Sequence, residues 1–291
     1  MAENSDTVPV VGGFLHPWQM LRGTAAPSPA PAGTETAEPR IRRIDLADLG
    51  DALAAGWRDF LAHRTDVMLL CVLYPVLGLV LLRAAIGYQV LALAFPLAAG
   101  FALLGPLAAT GLYEMNRRLE AGEPVSWSTV FEVVRARGFG AVLVLGLLFM
   151  ALFVIWLQVA LALYQGFLGD AVPASAGAFF AHVFATRAGW QMIVVGDLIG
   201  LAFAVVALAV GAFSFPMLID GRHGSGTGER LSLAVATSLA ATRINALPVA
   251  AWGVVVAAAL MLGSIPFFLG LVVVLPVFGH ATWHLYRRVV A

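Results

Sequence analysis

The stretch FGAVLVLGLLFMALFVIWLQVALALY, residues 139–164, contains no charged side chain. A helix that crosses roughly 30 Å of hydrocarbon needs about 20 mainly apolar residues, and this stretch exceeds that length. Residues 139–164 therefore predict a membrane-spanning helix, and they place the chain among the helical membrane proteins.

The composition of the whole chain supports the same class. Apolar residues make up 60% of the 291 residues and charged residues only 12%, whereas soluble domains have about 25% charged residues. The single cysteine, Cys71, excludes an intramolecular disulfide and a cysteine metal cluster. The net charge is zero and every basic residue is arginine, so we expect no nucleic-acid partner. The composition predicts an all-α polytopic protein in a lipid bilayer.

Five other apolar stretches have the character of membrane spans. The last two form one long apolar region, which we divide at residues 263–266 because an unbroken helix of about 40 residues would be about 60 Å long. Six transmembrane helices are thus predicted, at about residues 67–82, 88–113, 139–164, 190–218, 247–262 and 266–286.

Arginine placement predicts the topology. With a cytoplasmic N-terminus and six spans, only Arg83 and Arg187 fall outside, as the positive-inside rule requires. Both termini are therefore predicted to be cytoplasmic, in a bacterial inner (plasma) membrane. The inside arginines are Arg22, Arg40, Arg42, Arg43, Arg58, Arg64, Arg117, Arg118, Arg135, Arg137, Arg222, Arg230, Arg243, Arg287 and Arg288.

Three short amphipathic segments precede spans, at Asp45–Arg64, Ser126–Arg137 and Glu229–Arg243. Apolar residues recur in them at three- and four-residue spacing, which is typical of an interfacial helix. The chain is therefore interpreted as three weak repeats of an interfacial helix, a span out and a span back. The return span of each unit carries a proline toward its cytoplasmic end, namely Pro106, Pro216 and Pro276.

Residues 1–44 are predicted to be a disordered cytoplasmic tail that precedes a membrane domain of residues 45–291. The tail contains the Pro/Ala/Thr-rich stretch TAAPSPAPAGTETAEP and lacks the pattern of a signal peptide. It also contains the apolar segment VPVVGGFLHPWQML, which is suited to docking.

His280 and His284 are the first candidates for chemistry. They lie four residues apart and share one helical face, which is the geometry that a zinc site uses. A third ligand is not evident, although His223 is predicted to lie on the same side of the membrane. No other predicted span contains a histidine, which argues against haem. We expect no cofactor.

The same stretch is also explained as the end of a membrane helix. Aromatic residues concentrate at membrane interfaces, and arginines anchor the cytoplasmic ends of spans. A tyrosine followed by two arginines occurs in the first repeat as well. The predicted interfacial anchors are Trp283, Tyr286, Arg287, Arg288, Arg117 and Arg118.

Asp197 is the one carboxylate well inside a predicted span, about 10 Å below the outer boundary at Trp190. Intramembrane carboxylates are costly and are candidates for proton or cation sites. Gln158 lies at a comparable depth in the preceding span. A hydrogen bond between the two would make them a helix-packing pair instead.

Sequence motifs of known catalysts are missing. The loop GRHGSGTGER resembles a phosphate-binding loop only superficially, since it lacks the preceding strand and the GK[ST] ending, so a flexible linker is favoured. No G-x-S-x-G or HExxH motif occurs. Gly138, Gly140, Gly196 and Gly200 are interpreted as sites of close helix packing.

Three stretches carry a family resemblance: GWRDFLAHRTDVMLLCVLYPVLGLVL (56–81), FPMLIDG (215–221) and LGLVVVLPVFGHATWHLYRRVV (269–290). From about Asp45 to Arg288 the chain resembles an uncharacterised family of bacterial, mainly alphaproteobacterial, integral membrane proteins. Some members of that family are labelled as cytochrome c oxidase subunits. The resemblance implies a membrane protein without an established activity, and any oxidase role would be accessory.

Three functions remain open from the sequence. The first is a non-catalytic accessory, assembly or scaffold component that binds a membrane-protein partner within a larger inner-membrane complex. The second is a small permease or lipid-handling protein that uses Asp197, with an unknown small-molecule substrate. The third, an enzyme or metal protein, depends on His280, His284 and Asp197 alone.

Overall fold

The structure is a computed structural model that describes residues 7–9, 39–72, 93–169, 175–266 and 268–291, with positions 76, 79–80 and 83. Its described elements are helical apart from two short antiparallel strands. The strands are β1 (Thr7–Pro9) and β2 (Arg40–Arg42). The helices are α1 (Leu46–Cys71), α2 (Ala94–Leu103), α3 (Gly105–Ala108), α4 (Thr110–Glu120), α5 (Phe139–Leu168), α6 (Ala176–Ala185), α7 (Arg187–Asp220), α8 (Thr227–Ile244), α9 (Ala246–Ser264) and α10 (Leu271–Val289). A 3-10 helix at Trp127–Arg135 follows α4.

Three helices in the described part of the chain are long and apolar enough to cross a membrane, namely α5, α7 and α9. They contain the predicted spans 139–164, 190–218 and 247–262. The predicted division at residues 263–266 is found too, because α9 ends at Ser264 and α10 begins at Leu271.

The other predicted spans have mixed outcomes. Most of 67–82 lies outside the described residues. The described part of 88–113 is divided among α2, α3 and α4, with breaks at Leu104 and Ala109. The predicted span 266–286 corresponds to α10, which carries histidines and arginines in its second half and is largely buried. Six spans in three repeats remain a prediction.

The three short amphipathic segments are helical, each in a different way. Asp45–Arg64 is the first part of α1, which continues to Cys71 beyond a departure from helical geometry at His63. Ser126–Arg137 is mostly a 3-10 helix, which starts at a capping box of Ser126 and Thr129. Glu229–Arg243 lies within α8, which buries Ala234, Thr237, Ser238 and Ala241.

Helix α7 divides into an exposed first part and a buried end. At 1.5 Å per residue its 34 residues extend for about 51 Å, more than the hydrocarbon thickness of about 30 Å. Residues 211–219 are buried, and α8 packs along them. Ser238 of α8 donates a hydrogen bond to Ala209 O (2.8 Å), while Ser214 of α7 donates to Ala234 O (3.1 Å). These bonds place α8 beside the end of α7.

The helices approach each other closely where glycines lie. A Cβ atom on Gly138 would meet the carbonyl oxygen of Leu218 at 1.9 Å, so α5 can begin beside the end of α7 only with glycine. A Cβ atom on Gly200 would lie 3.1 Å from the ring of Trp156, which also packs on Phe203 (5.5 Å). The interpretation of these two glycines as packing sites agrees with this geometry.

The segment before α1 meets the residues that follow α10. Arg40 and Ala291 exchange two main-chain hydrogen bonds (2.9 and 3.2 Å), and Ile41 faces Val290. Asn245, between α8 and α9, accepts a hydrogen bond from Ile44 N and donates one to Arg42 O. The strand β2 is therefore fixed to both the C-terminus and the α8–α9 junction.

The glycine-rich loop GRHGSGTGER is the connection between α7 and α8. Gly221 ends α7 in a left-handed conformation (φ 67°), which glycine adopts without strain. Arg230 donates to Gly221 O (3.0 Å), and the Ser225 hydroxyl bonds to Glu229. The loop thus bonds to the first turn of α8 and forms its start.

Candidate functional site

The second half of α10 packs against α1, and the two helices run antiparallel. Gly56 of α1 is the closest point, since a Cβ atom there would lie 2.5 Å from Ala281 N and 2.6 Å from Val277 O. Leu49, Ala52 and Phe60 bury the same face of α1. This contact brings the polar residues of both helices together with those of α4 and the end of α7.

We call the resulting group of polar side chains the C-terminal polar cluster. It joins α1, α4, α7 and α10. Its members are Asp48, Asp51, Asp59, Asn116, Glu120, Asp220, His280, Trp283, His284, Tyr286, Arg287 and Arg288.

The two candidate histidines bond to different partners. His280 is completely buried, and its Nδ1 donates to Asn116 Oδ1 (2.9 Å). Its Nε2 is buried without a hydrogen-bond partner among the described residues. His284 Nε2 lies 2.6 Å from Asp59 Oδ2. In the described part of the chain, no three His, Cys, Asp or Glu side chains are placed to hold a metal ion.

The pair of Asp59 and His284 changes the electrostatics of α1. Burial alone would raise the pKa of the Asp59 carboxyl, but the hydrogen bond with His284 and the nearby histidine charges hold that pKa below its ordinary value. Asp59 therefore stays ionised at neutral pH. The ionised carboxylate accepts a hydrogen bond from His284 and so joins α1 to α10.

Trp283 and Tyr286 lie inside the protein, where we had expected interfacial anchors. Both rings are at most 1% exposed. The Trp283 indole donates to Glu120 Oε1 (2.8 Å), and the Tyr286 hydroxyl donates to Asp220 Oδ2 (2.8 Å). Because these polar ends bond to carboxylates of α4 and α7, protein contacts take the place of contacts with lipid headgroups.

Arg287 and Arg288 also bind carboxylates. Arg287 lies 3.2 Å from Glu120 and 3.6 Å from Asp220, so it bridges α4 and α7. Arg288 binds Asp48 and Asp51 at the start of α1. The cations at this end of α10 therefore tie the helix to three others.

Arg117 and Arg118 share one buried carboxylate. Glu114 is 2% exposed and accepts hydrogen bonds from Arg117 (2.7 and 2.8 Å) and Arg118 (2.9 Å). Burial alone would raise the pKa of Glu114, but the two arginines hold it below its ordinary value. Arg118 also reaches Glu132 in the 3-10 helix (2.7 Å). The pair thus fastens α4 to its following loop.

Asp197 and Gln158 are both exposed, and no hydrogen bond joins them among the described residues. The residues one or two turns from Asp197 on the same face of α7 are apolar and exposed as well: Trp190 (54%), Val194 (56%) and Leu201 (60%). We call this face, residues 190, 194, 197 and 201, the α7 stripe. The pairing with Gln158 expected as the alternative is not formed.

The sequence did not single out Asn116, Glu120 and Asp220, which complete the cluster. They lie in α4 and at the last position of α7, far from α10 along the chain. A local signal existed only for Glu114, because the carboxylate stands three and four residues before Arg117 and Arg118.

Of three comparisons with known proteins, one gave a match, which lies in the middle of the chain. Neither the curated proteins nor the solved structures gave a significant match. The model of a family described as "Predicted integral membrane protein (DUF2189)" matches residues 93–220, from the start of α2 to the end of α7. This chain is therefore similar, over that region, to an uncharacterised family of integral membrane proteins.

Proposed function

We propose that the protein is a non-catalytic accessory or scaffold component of a larger membrane complex, and that it binds its partner through the α7 stripe. The exposure of Asp197 carries this proposal. A charged side chain at the centre of a membrane helix costs about 2.5–3.5 kcal/mol, and such residues usually face protein or water. A partner helix on the stripe would remove this cost.

The burial of the three long helices supports a missing neighbour at this place. In the most apolar part of α7 only 6% of the residues are buried, against 33% in α5 and 22% in α9. An exposed helix of leucine and valine can face lipid alone, but an aspartate among them requires a hydrogen-bond donor or a cation. The proposed partner is therefore a transmembrane helix with a basic or amide side chain at that depth.

The C-terminal polar cluster supports a structural role for α1, α4, α10 and the buried end of α7. Its carboxylates bond to arginine, histidine, tryptophan and tyrosine within the chain, as described above. Such a network fixes the relative positions of α1, α4, α7 and α10. It would give a partner a rigid surface to bind.

A permease that uses Asp197 is the second candidate. That function needs the carboxylate to face an internal passage, whereas Asp197 lies on the exposed face of α7. The structure thus favours a contact between proteins over a transport site.

The proposed location is a bacterial inner membrane with six spans and both termini in the cytoplasm. The pairing of Arg40 with Ala291 supports an even number of spans, because it puts β2 and the C-terminus on one side. A respiratory oxidase is one candidate complex, given the family resemblance. Reporter fusions after residue 291 and in the loop before α6 would test the sidedness.

Site-specific photo-crosslinking in native membranes tests the proposed partner. A photoreactive amino acid at Leu201 (60% exposed) should form one discrete adduct with a membrane protein, and Asp197→Asn should weaken it severalfold. The matched control is Val254 of α9, which is 69% exposed and lies away from the stripe. Adducts of equal yield at both positions, or a yield unchanged by Asp197→Asn, would refute the proposal.

A further inference from the structure

An open apolar groove lies between α1 and α10, away from the α7 stripe. Its walls include Leu53, Ala54 and Trp57 from α1, and Val273 and Phe278 from α10. The volume of about 480 Å³ is within the roughly 300–1,000 Å³ of small-molecule pockets. The groove accepts an apolar ligand at least as large as a hydrocarbon chain.

Charges beside the groove indicate the other end of the ligand. Arg58 follows Trp57, is exposed and forms no ion pair among the described residues. Three further exposed arginines precede α1, at positions 40, 42 and 43. Three acidic residues of α1, in contrast, are engaged, since Asp48 and Asp51 bind Arg288 and Asp59 binds His284. The free charge next to the groove is thus positive.

We propose that this groove binds one acyl chain of an anionic phospholipid, whose phosphate is held by Arg58 beside Trp57. Trp57 is 46% exposed, and tryptophan is typical of the level of the headgroups. Arginine extends an apolar stem along the protein and keeps its charged group at the headgroup. The apolar walls therefore match an acyl chain, and Trp57 matches the headgroup level. Arg58, which has no ion-pair partner in the described part of the chain, matches the phosphate.

The exposed face of α1 continues the lipid-facing surface. Leu46 (53%), Trp57 (46%) and Leu61 (46%) are exposed on the same side as Gly50, beside the face that packs on α10. This side would lie against the acyl chains of the inner leaflet. A lipid in the groove would fill the gap between this face and the valines of α10.

Native mass spectrometry of the full chain in a mild detergent tests the site. Phosphatidylglycerol and phosphatidylcholine are titrated separately, and the wild type should bind one phosphatidylglycerol tightly. Gly50→Phe should fill the groove and abolish this binding, because a Cβ at Gly50 meets nothing within 4 Å and a larger side chain has room. Gly166→Phe on α5, where a Cβ also meets nothing within 4 Å, is the matched control and should bind as the wild type does.

Arg58→Gln tests the headgroup contact. One arginine at a membrane surface contributes about 1 kcal/mol, so the preference for phosphatidylglycerol over phosphatidylcholine should fall about fivefold while acyl-chain binding persists. Ala54→Phe fills the groove from another position and replaces Gly50→Phe if that variant does not fold.

Three results would overturn the proposal. The first is a wild type that binds neither lipid at a defined stoichiometry. The second is binding that the groove-filling variants leave unchanged. The third is a dimer that these variants dissociate, which would assign the groove to a second copy of the chain.

Discussion

Replacing Gly56 by alanine places a methyl group between α1 and α10 at their closest point. The new Cβ would lie 2.5 Å from Ala281 N, whereas ordinary contacts begin at 3.4 Å, so the helices must separate by about 0.9 Å. Overpacking of this kind typically costs about 1–3 kcal/mol. Alanine also favours a helix by about 1 kcal/mol over glycine, which hides part of the loss.

Gly50→Ala on the same helix is the control that separates the two effects. A Cβ there meets nothing within 4 Å, so this variant should show only the gain from helix propensity. The difference in the free energy of unfolding between the two variants should therefore equal the steric cost, about 1–3 kcal/mol. Tryptophan fluorescence during reversible unfolding in mixed micelles with a rising fraction of a denaturing detergent measures it.

The reasoning also predicts a graded series at this position. Gly56→Val should destabilise more than Gly56→Ala, because a larger side chain forces α1 and α10 further apart. The 2.6 Å contact of Asp59 with His284 across the same interface should lengthen with it. If Gly56→Ala were as stable as Gly50→Ala, the close antiparallel packing of α1 on α10 would be refuted.

The carboxylates of Asp59 and Glu114 give further predictions. Because the pKa of Asp59 is lowered in the folded protein, its ionised carboxylate stabilises the fold fully at neutral pH. This stabilisation is lost as the pH falls below 3.8, the ordinary pKa of an aspartate. Asp59→Asn should therefore reduce the difference in unfolding free energy between about pH 7 and about pH 3. Glu114→Gln should lower the free energy of unfolding by about 1–3 kcal/mol. Breaking a fully buried ion pair costs about 3–5 kcal/mol, and the cost is smaller here because Arg118 is 19% exposed. Glu123→Gln, at a carboxylate 48% exposed and 3.8 Å from Arg118, should change the free energy by less than about 0.5 kcal/mol. Equal effects of Glu114→Gln and Glu123→Gln, or an Asp59→Asn variant with the acid sensitivity of the wild type, would contradict these expectations.

Hydropathy predicted the long helices well because the bilayer imposes a length and a composition on each span. Residues 139–164 and 190–218 meet both conditions, and α5 and α7 contain them. The break before α10 was predictable as well, since Pro266 and the glycines around it disfavour a continuous helix.

The environment of α10 was not predictable from its own residues. Trp283, Tyr286 and two arginines fit a membrane interface and a buried polar network equally well, because both place an aromatic body in apolar surroundings and its polar end near charge. The deciding partners, Glu120 and Asp220, are separated from α10 by long stretches of chain. Only the packing of α4 and α7 around α10 brings them together.

The contact between α1 and α10 joins two helices that are made at very different times during synthesis. About 200 residues separate Cys71 from Leu271, and at about 5–20 residues per second their synthesis takes on the order of 10–40 s. During that time the face of α1 that carries Leu49, Gly56 and Phe60 has no α10 to cover it. The nascent chain must therefore keep this face in the lipid, against helices made before α10 or with an insertion factor. The strand pair of Arg40 and Ala291 can form only after residue 291 has been made.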